Sequence, residues 1–257
     1  MNLYFDTCLA EGYKNAAQIV RVLTENWMGA NVYCPNCGCK PISKAPNNRP
    51  VQDFLCSHCN EQFELKSKQG KSTGKTVNDG AYQTMMERIQ ADDNPNFFFL
   101  SYSKADYSVQ QLMLVPKHFM TADMIARRKP LPETAKRAGW VGCTINIGTL
   151  PESGKILLVE QARMIEPERV HEQWKTSLFL RKQKAANKGW LLAIMKCIER
   201  LPEQFNLQQV YGFEKQLSIQ FPENNHVKDK IRQQLQILRD QNVIEFSARG
   251  QYRKLAI

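Results

Sequence analysis

Residues 33–66 read YCPNCGCKPISKAPNNRPVQDFLCSHCNEQFELK, and two patterns are interleaved in them. Cys34-Pro-Asn-Cys37 and Cys56-Ser-His-Cys59 are two CxxC pairs separated by 18 residues. That is the spacing of a zinc ribbon, in which four thiolates close a tetrahedral site. Asp53 lies inside the loop that the cysteines close, and Glu64 and Lys66 follow the last of them. A metal knuckle so placed predicts a braced hairpin that carries two carboxylates and an amine.

The other four cysteines, Cys8, Cys39, Cys143 and Cys197, are scattered. Cys39 and His58 are competing ligands by position, but the four-cysteine set Cys34, Cys37, Cys56 and Cys59 has the better spacing, and structural Zn²⁺ is the expectation. A redox CxxC opens a helix in a βαβ unit and does not come as two matched pairs. No apolar run approaches the ~20 residues that span a bilayer. The first residues, MNLYFDTCLAEGYKN, lack a basic segment followed by an apolar one, so neither a membrane span nor a signal peptide is expected, and a cytoplasmic location is the default expectation. The net charge of +10 and pI near 9.2 call for an anionic partner. With no basic amphipathic helix or acylation signal to suggest lipid, nucleic acid leads.

Outward from the cysteine segment, residues 10–28 place Ala17, Ile19, Val20, Val22, Leu23 and Trp27 near helical spacing and predict an opening helix. FELKSK, residues 63–68, alternates as a half-buried strand does, and Asp53 is expected on a neighbouring strand in VQDFL. Gln69–Gly80 reads as a polar turn, and Tyr82, Met85, Met86 and Ile89 resume a helix. FFFLSY (97–102), LMLVP (112–116) and KILLVE (155–160) are short apolar runs typical of buried strands. This order predicts an α/β mixed-sheet domain over residues 1–182 with the zinc site inserted in it.

Between those strands lies RRKPLPETAKRAGWVG, residues 127–142, rich in proline and base and without periodicity. It reads either as a solvated loop or as a DNA-contacting one. In the second case Arg127, Arg128, Lys129, Lys136 and Arg137 face phosphates while Trp140 stacks or wedges. Residues 179–189 turn basic and small and read as a linker. Residues 183–257 then form a second, α+β domain. A helix runs from Trp190 to Leu201, and a second is capped by Asn206, with Leu207, Val210, Phe213, Leu217 and Ile219 inward. In the third helix Val227, Ile231, Leu235 and Leu238 face the core, while Lys228, Arg232, Gln233, Gln236 and Arg239 face out. VIEFSARGQYRKL alternates, turns at Arg249-Gly250 and returns. Three helices and a terminal hairpin make a winged helix, whose exposed third helix reaches phosphates and base edges in a major groove. A solvated or protein-binding face is the bland alternative.

Hydrolysing a phosphodiester needs an activated water, a Lewis acid on the phosphate and stabilisation of growing charge. Asp53 and Glu64, joined by the backbone carbonyl of Leu65, suit Mg²⁺ or Mn²⁺, hard ions that prefer oxygen. Glu64 and Lys66 stand two apart on one strand, so both leave the same face, and the lysine can orient or deprotonate the water. Asp-x10-Glu-x-Lys alone is a weak signal; its place within the zinc frame raises it.

RPVQDF, FELKSK, NDGAYQTMMERIQADDNPNFFFL, KRAGWVG and IRQQLQILRD resemble, in this order and over nearly the whole chain, the DpnI family of methyl-directed, type IIM restriction endonucleases. The resemblance implies a PD-(D/E)xK catalytic domain followed by a winged helix, cutting double-stranded DNA at G-A-T-C sites that carry N6-methyladenine, with Mg²⁺. It places Asp53, Glu64 and Lys66 in the catalytic motif and Cys34, Cys37, Cys56 and Cys59 at the zinc. It also implies that both domains read the methylated site, and Trp140 is the candidate for part of a methyl pocket. Pro50 stands three residues before Asp53 rather than next to it, a loose form of the motif.

Two other readings fit part of the sequence. A non-enzymatic zinc-ribbon and winged-helix transcription regulator explains the charge and cysteines but leaves Glu64 and Lys66 without a role. A repair enzyme or methylation-blind endonuclease keeps the chemistry and changes the substrate. No protein partner is evident, and a monomer with one active site is expected to nick the two strands in turn.

Overall fold

The computed structural model describes residues 1–45, 52–91, 94–183 and 185–255. Pro50 and Val51, before Asp53, and Asp92 and Asp93 lie outside them. The chain divides into two compact units, one of residues 1–149 and 155–177, the other of residues 150–154 and 178–257.

The first unit opens with one turn of 3-10 helix, Thr7–Ala10, and then α1, Ala16–Asn31. The helix begins six residues later than its apolar pattern suggests. Gly12 takes a left-handed φ of 86°, and the Asn15 side chain accepts from the amides of Ala17 and Gln18, which fixes the start. Leu23, Trp27 and Met28 are buried, whereas Ala17 is exposed. After α1 come β1 (Ser43–Lys44), β2 (Phe54–Leu55), β3 (Gln62–Gln69), β4 (Val77–Ala81), α2 (Tyr82–Gln90), β5 (Asn96–Tyr102) and β6 (Val109–Val115). They are followed by β7 (Ile125–Arg127), β8 (Gly142–Ile145), β9 (Ile156–Glu160), β10 (Arg163–Met164) and α3 (Pro167–Ser177).

Seven strands form one sheet in the order β1-β2-β3-β5-β6-β9-β10. β3 and β5 are parallel and the other neighbours antiparallel, so the sheet is mixed. β5 lies inside it, and Phe97, Phe98, Phe99 and Leu100 are all fully buried; each such side chain contributes about 1.5–3 kcal/mol. That is why a run without alternation, FFFL, is a strand here. β3 is different. Its pattern predicts a solvated polar face, yet Glu64 is 8 % exposed and Lys66 is half-buried.

A second sheet, β4-β8-β7, was hidden in the sequence. Val-Asn-Asp-Gly reads as a turn, but Val77–Ala81 pairs with β8 through a bulge between Asp79 and Ala81. The basic segment 127–142 is the far end of the β7–β8 hairpin. Its backbone folds on itself through Leu131 N–H to Trp140 O (2.9 Å) and Gly139 N–H to Leu131 O (3.0 Å). Strands of three and four residues are too short to show a period, which is why the segment looked structureless.

The second unit corrects the linker. Leu178–Lys182 is a 3-10 helix with Leu180 fully buried, and α4 spans Ala185–Glu199, five residues before Trp190. Stacking of Trp190 on Phe221, centroids 4.1 Å apart, holds its first turns. β11 (Gln204–Asn206) leads into α5 (Leu207–Tyr211), where Asn206 and Gln209 form a capping box. The predicted second helix breaks at Gly212 and resumes as α6, Glu214–Gln220. The break resets the helical phase, so Val210 and Leu217 stay buried but Ile219, expected inside, is 75 % exposed. α7 (Val227–Asp240) buries Val227, Ile231, Gln234, Leu235 and Leu238. β12 (Ile244–Ala248) and β13 (Gln251–Lys254) form the hairpin, turning at Gly250 with φ 70°, and β11 completes the sheet β11-β13-β12. The unit is a winged helix. Among the described residues no helix is long and apolar enough to cross a membrane.

Candidate active site and metal centre

Each CxxC pair closes a tight knuckle. The Cys34 carbonyl accepts from Gly38 N–H and the Cys56 carbonyl from Asn60 N–H, with Gly38 and Asn60 in left-handed backbone at φ 74° and 59°. The four Sγ atoms of Cys34, Cys37, Cys56 and Cys59 lie within 4.8 Å of one another, with Cys34–Cys59 and Cys37–Cys56 at 3.5 Å. Zinc–sulfur bonds of about 2.3 Å in a tetrahedron require sulfurs about 3.8 Å apart, so the set fits Zn²⁺. Burial pushes the Cys37 thiol up to about 11, while Cys56, despite burial, is drawn down to about 7 by the backbone amides of Cys59 and His58. Amides that stabilise thiolate are what a zinc site needs. Cys39 stays outside the four-sulfur set. The first knuckle is fastened to α3: Trp174 Nε1 donates to Asn36 Oδ1 (2.9 Å) and the His171 ring meets the Pro35 carbonyl (3.0 Å).

The second knuckle hands the chain straight to β3. Asp53, just ahead of β2 rather than on it, donates its amide to Phe63 O (3.0 Å). Among the described residues, β2 pairs with β3 only through Phe54 with Phe63 and Leu55 with Gln62. The Leu65 amide donates instead to the Asp53 carboxylate, Oδ2, at 2.7 Å. The N–H and C=O of one residue leave a strand on the same side, so the Leu65 carbonyl faces the side on which Asp53 lies. Glu64 brings its carboxylate to the same place. Its Oε1 accepts from Lys66 Nζ (2.7 Å), and its Oε2 is buried with no hydrogen-bond partner. A carboxylate, a second carboxylate with an orphaned oxygen and a backbone carbonyl make an all-oxygen set that suits Mg²⁺ or Mn²⁺.

Lys66 stands between Glu64 and a residue that sequence reasoning missed. Its ammonium also donates to Asp79 Oδ1, on β4. Burial works against the charge of Lys66, but Glu64 and Asp79 outweigh it and hold its pKa above the ordinary lysine value. Burial pushes Glu64 up to about 7, with the Asp53 and Asp79 carboxylates adding and Lys66 opposing. Asp53 is raised as well, by burial, against the pull of the Leu65 amide. Three acids around one ammonium leave an excess of negative charge that a divalent cation offsets.

Asp53, Glu64 and Leu65 line a cleft of about 550 Å³ whose other wall is α1, with Arg21, Thr24 and Glu25. Glu25 is the second missed residue. It is 8 % exposed and paired with Arg21 and Lys44, both at 2.5 Å, which against the effect of burial keep its pKa low. An acid among Leu23, Trp27 and Met28 was its sequence signal. Asp79 gave none, because Asn-Asp-Gly reads as a turn.

The basic residues Arg127, Arg128, Lys129, Lys136 and Arg137 are exposed on the β7–β8 hairpin, and Trp140 is half-buried there. The Arg137 guanidinium lies 4.7 Å from the Trp140 ring centre, and the ring covers Gly142 so closely that a Cβ at 142 would come within 2.9 Å of it. In the winged helix Lys228, Arg232, Gln233, Gln236 and Arg249 are exposed, and Arg239 with them. Arg232 is held by Asp229 and by Tyr211 Oη (2.9 Å), and Lys228 by Glu214 (3.3 Å).

Fold and site together define the class: a restriction-endonuclease-like mixed sheet carrying a four-cysteine cluster that can hold zinc, followed by a winged helix. The model of the DpnI, or Dam-replacing, family matches residues 1–183, and that of the DpnI C-terminal Dam-replacing HTH domain matches residues 186–254. The chain belongs to the DpnI Dam-replacing family. It is a DNA-binding protein of a restriction-nuclease family.

Proposed function

We propose that the chain is a methyl-directed, type IIM restriction endonuclease. It hydrolyses double-stranded DNA at G-A-T-C sites containing N6-methyladenine, with Mg²⁺ as the catalytic ion. Residues 1–182 form the endonuclease domain with its zinc knuckle, and residues 183–257 the winged-helix DNA-binding domain. The observation that carries this reading is the convergence of Asp53, from ahead of β2, on Glu64, Leu65 and Lys66 of β3, in a chain whose two parts both match the family.

Asp53, Glu64 and the Leu65 carbonyl would hold Mg²⁺ or Mn²⁺, and Cys34, Cys37, Cys56 and Cys59 the structural Zn²⁺. When bound, the magnesium ion lowers the pKa of a water and draws charge from the scissile phosphate. Lys66, kept protonated by its two carboxylate partners, serves as an ammonium that orients the water and offsets charge on the phosphate, rather than as the base. Asp53 and Glu64 act ionised, against the burial that favours the protonated form of each. On the hairpin, Arg127, Arg128, Lys136 and Arg137 take phosphates and Trp140 stacks. On the winged helix, Lys228, Arg232, Gln233, Gln236 and Arg249 face the duplex. One methyl carbon contributes only about 0.8 kcal/mol on burial, so strong discrimination calls for reading the methyl in both domains. The active form is a monomer working in the cytoplasm, nicking one strand and then the other.

The test is digestion of one plasmid grown in adenine-methylating and in non-methylating hosts, with Mg²⁺ and with a chelator. Cleavage of the methylated plasmid alone, into fragments ending at G-A-T-C, is expected. Equal cleavage of both plasmids removes the methyl specificity, and binding without metal-dependent cleavage removes the nuclease.

A further inference from the structure

We infer that Asp79 is a positioning residue that aims the Lys66 ammonium at the reacting phosphate. The inference rests on the nuclease reading. Lys66 Nζ has three donors. One meets Glu64 Oε1 at 2.7 Å and a second meets Asp79 Oδ1. With two N–H directions fixed by residues on two different strands, the third is determined by the tetrahedral nitrogen and is left for water or phosphate. With Glu64 alone the ammonium turns about a single bond, and its last donor has no set direction.

The fold places Asp79 for this purpose. Its side chain is 9 % exposed and that of Lys66 is 15 % exposed, so neither is a surface pair held by chance geometry. Asp79 sits where β4 bulges against β8, between its pairing with Cys143 and the pairing of Ala81 with Gly142. Asp79 follows the regular alternation of β4 and shares the face of buried Val77, and that face carries an acid from the small sheet to a lysine of the large one. The backbone there is tightly seated: a Cβ on Gly142 would lie 3.4 Å from the Asp79 carbonyl. The carboxylate therefore comes from a fixed strand, in a segment that reads as a turn.

The experiment measures single-turnover cleavage of methylated plasmid by the full chain in Mg²⁺ and Mn²⁺, with DNA affinity measured in Ca²⁺. Asp79→Ala is expected to slow cleavage by about 10–100-fold, the cost of an ångström-scale misplacement, with affinity unchanged. Asp79→Asn, which keeps the shape and an acceptor oxygen, is expected to slow it by about threefold, since it loses only the charge assistance of one hydrogen bond. Once Lys66 is Ala, neither change should slow the residual rate further, because Asp79 acts only through that amine. The same proportional loss with and without Lys66, or wild-type rates in both Asp79 variants, would overturn the inference while leaving the nuclease reading intact. A wild-type chain that cuts no DNA removes the nuclease reading, and the inference with it.

Discussion

Burying Glu64 carries a cost in stability, and the cost can be measured. Its side chain is 8 % exposed, and burial moves its carboxyl from an ordinary value near 4.5 to about 7. For an acid whose folded pKa is raised, the native state holds the extra proton. The stability this group allows is present below about 4.5 and is lost as pH rises from there to 7. Glu64→Gln keeps the shape and removes the titration. At about 1.4 kcal/mol per pH unit, the relief amounts to about 3 kcal/mol at pH 8 and falls below about 1 kcal/mol near pH 5. For a folded unit of this size, that is a rise in melting temperature of about 6–12 °C at pH 8. The assay is thermal melting of wild type and variant in Mg²⁺-free buffer from pH 5 to 8, repeated with saturating Mg²⁺. Added ion should stabilise the wild type by mass action and leave the variant unmoved, and the variant should not cleave DNA. Equal melting at pH 8, or a gap that does not change with pH, would refute the account of Glu64 as a buried, strained ligand.

Other expectations can be checked separately. Leu217→Ala should cost about 2–5 kcal/mol in a denaturant melt, whereas Ile219→Ser, on the same short helix but 75 % exposed, should stay within about 0.5 kcal/mol. The purified chain should carry one zinc by elemental analysis. Cys56→Ser should lose it and loosen α3, seen as faster amide exchange around Trp174, which is hydrogen-bonded to Asn36 of the first knuckle. Gly142→Ala should push the Trp140 ring off its seat; circular dichroism should be unchanged while tryptophan emission shifts and DNA affinity falls. Arg232→Ala should weaken binding to all sequences alike and lower the slope of log K against log salt by about one if it meets a phosphate.

How much of this was legible in the sequence depended on how local each signal was. The cysteine knuckles, the Asn206 cap, the apolar stripe of α7 and the FFFL strand are short-range patterns, and each forms as its residues suggest. Glu64 and Lys66 were legible as a pair because a strand sends alternate residues to one face. Failures of the reading came where distant contacts overrode local preference. Asn-Asp-Gly, a turn by propensity, became a bulged strand because β8 was there to pair with it. Within the stretch that reads as a linker by composition, Leu178–Lys182 is a 3-10 helix and α4 begins at Ala185, with Leu180 and Trp190 buried.

The sequence by itself determined the mixed α/β class, the four cysteines that cluster and the three candidate residues proposed for the site, since those rest on spacing and period along the chain. Only the tertiary structure decided that the Leu65 amide meets the Asp53 carboxylate, that Glu25 joins the cleft from α1, and that Asp79 reaches Lys66 from another sheet. The physical reason is that a buried hydrogen bond and a buried ion pair are properties of what packs against a residue. Nothing in a residue's immediate neighbours along the chain records that.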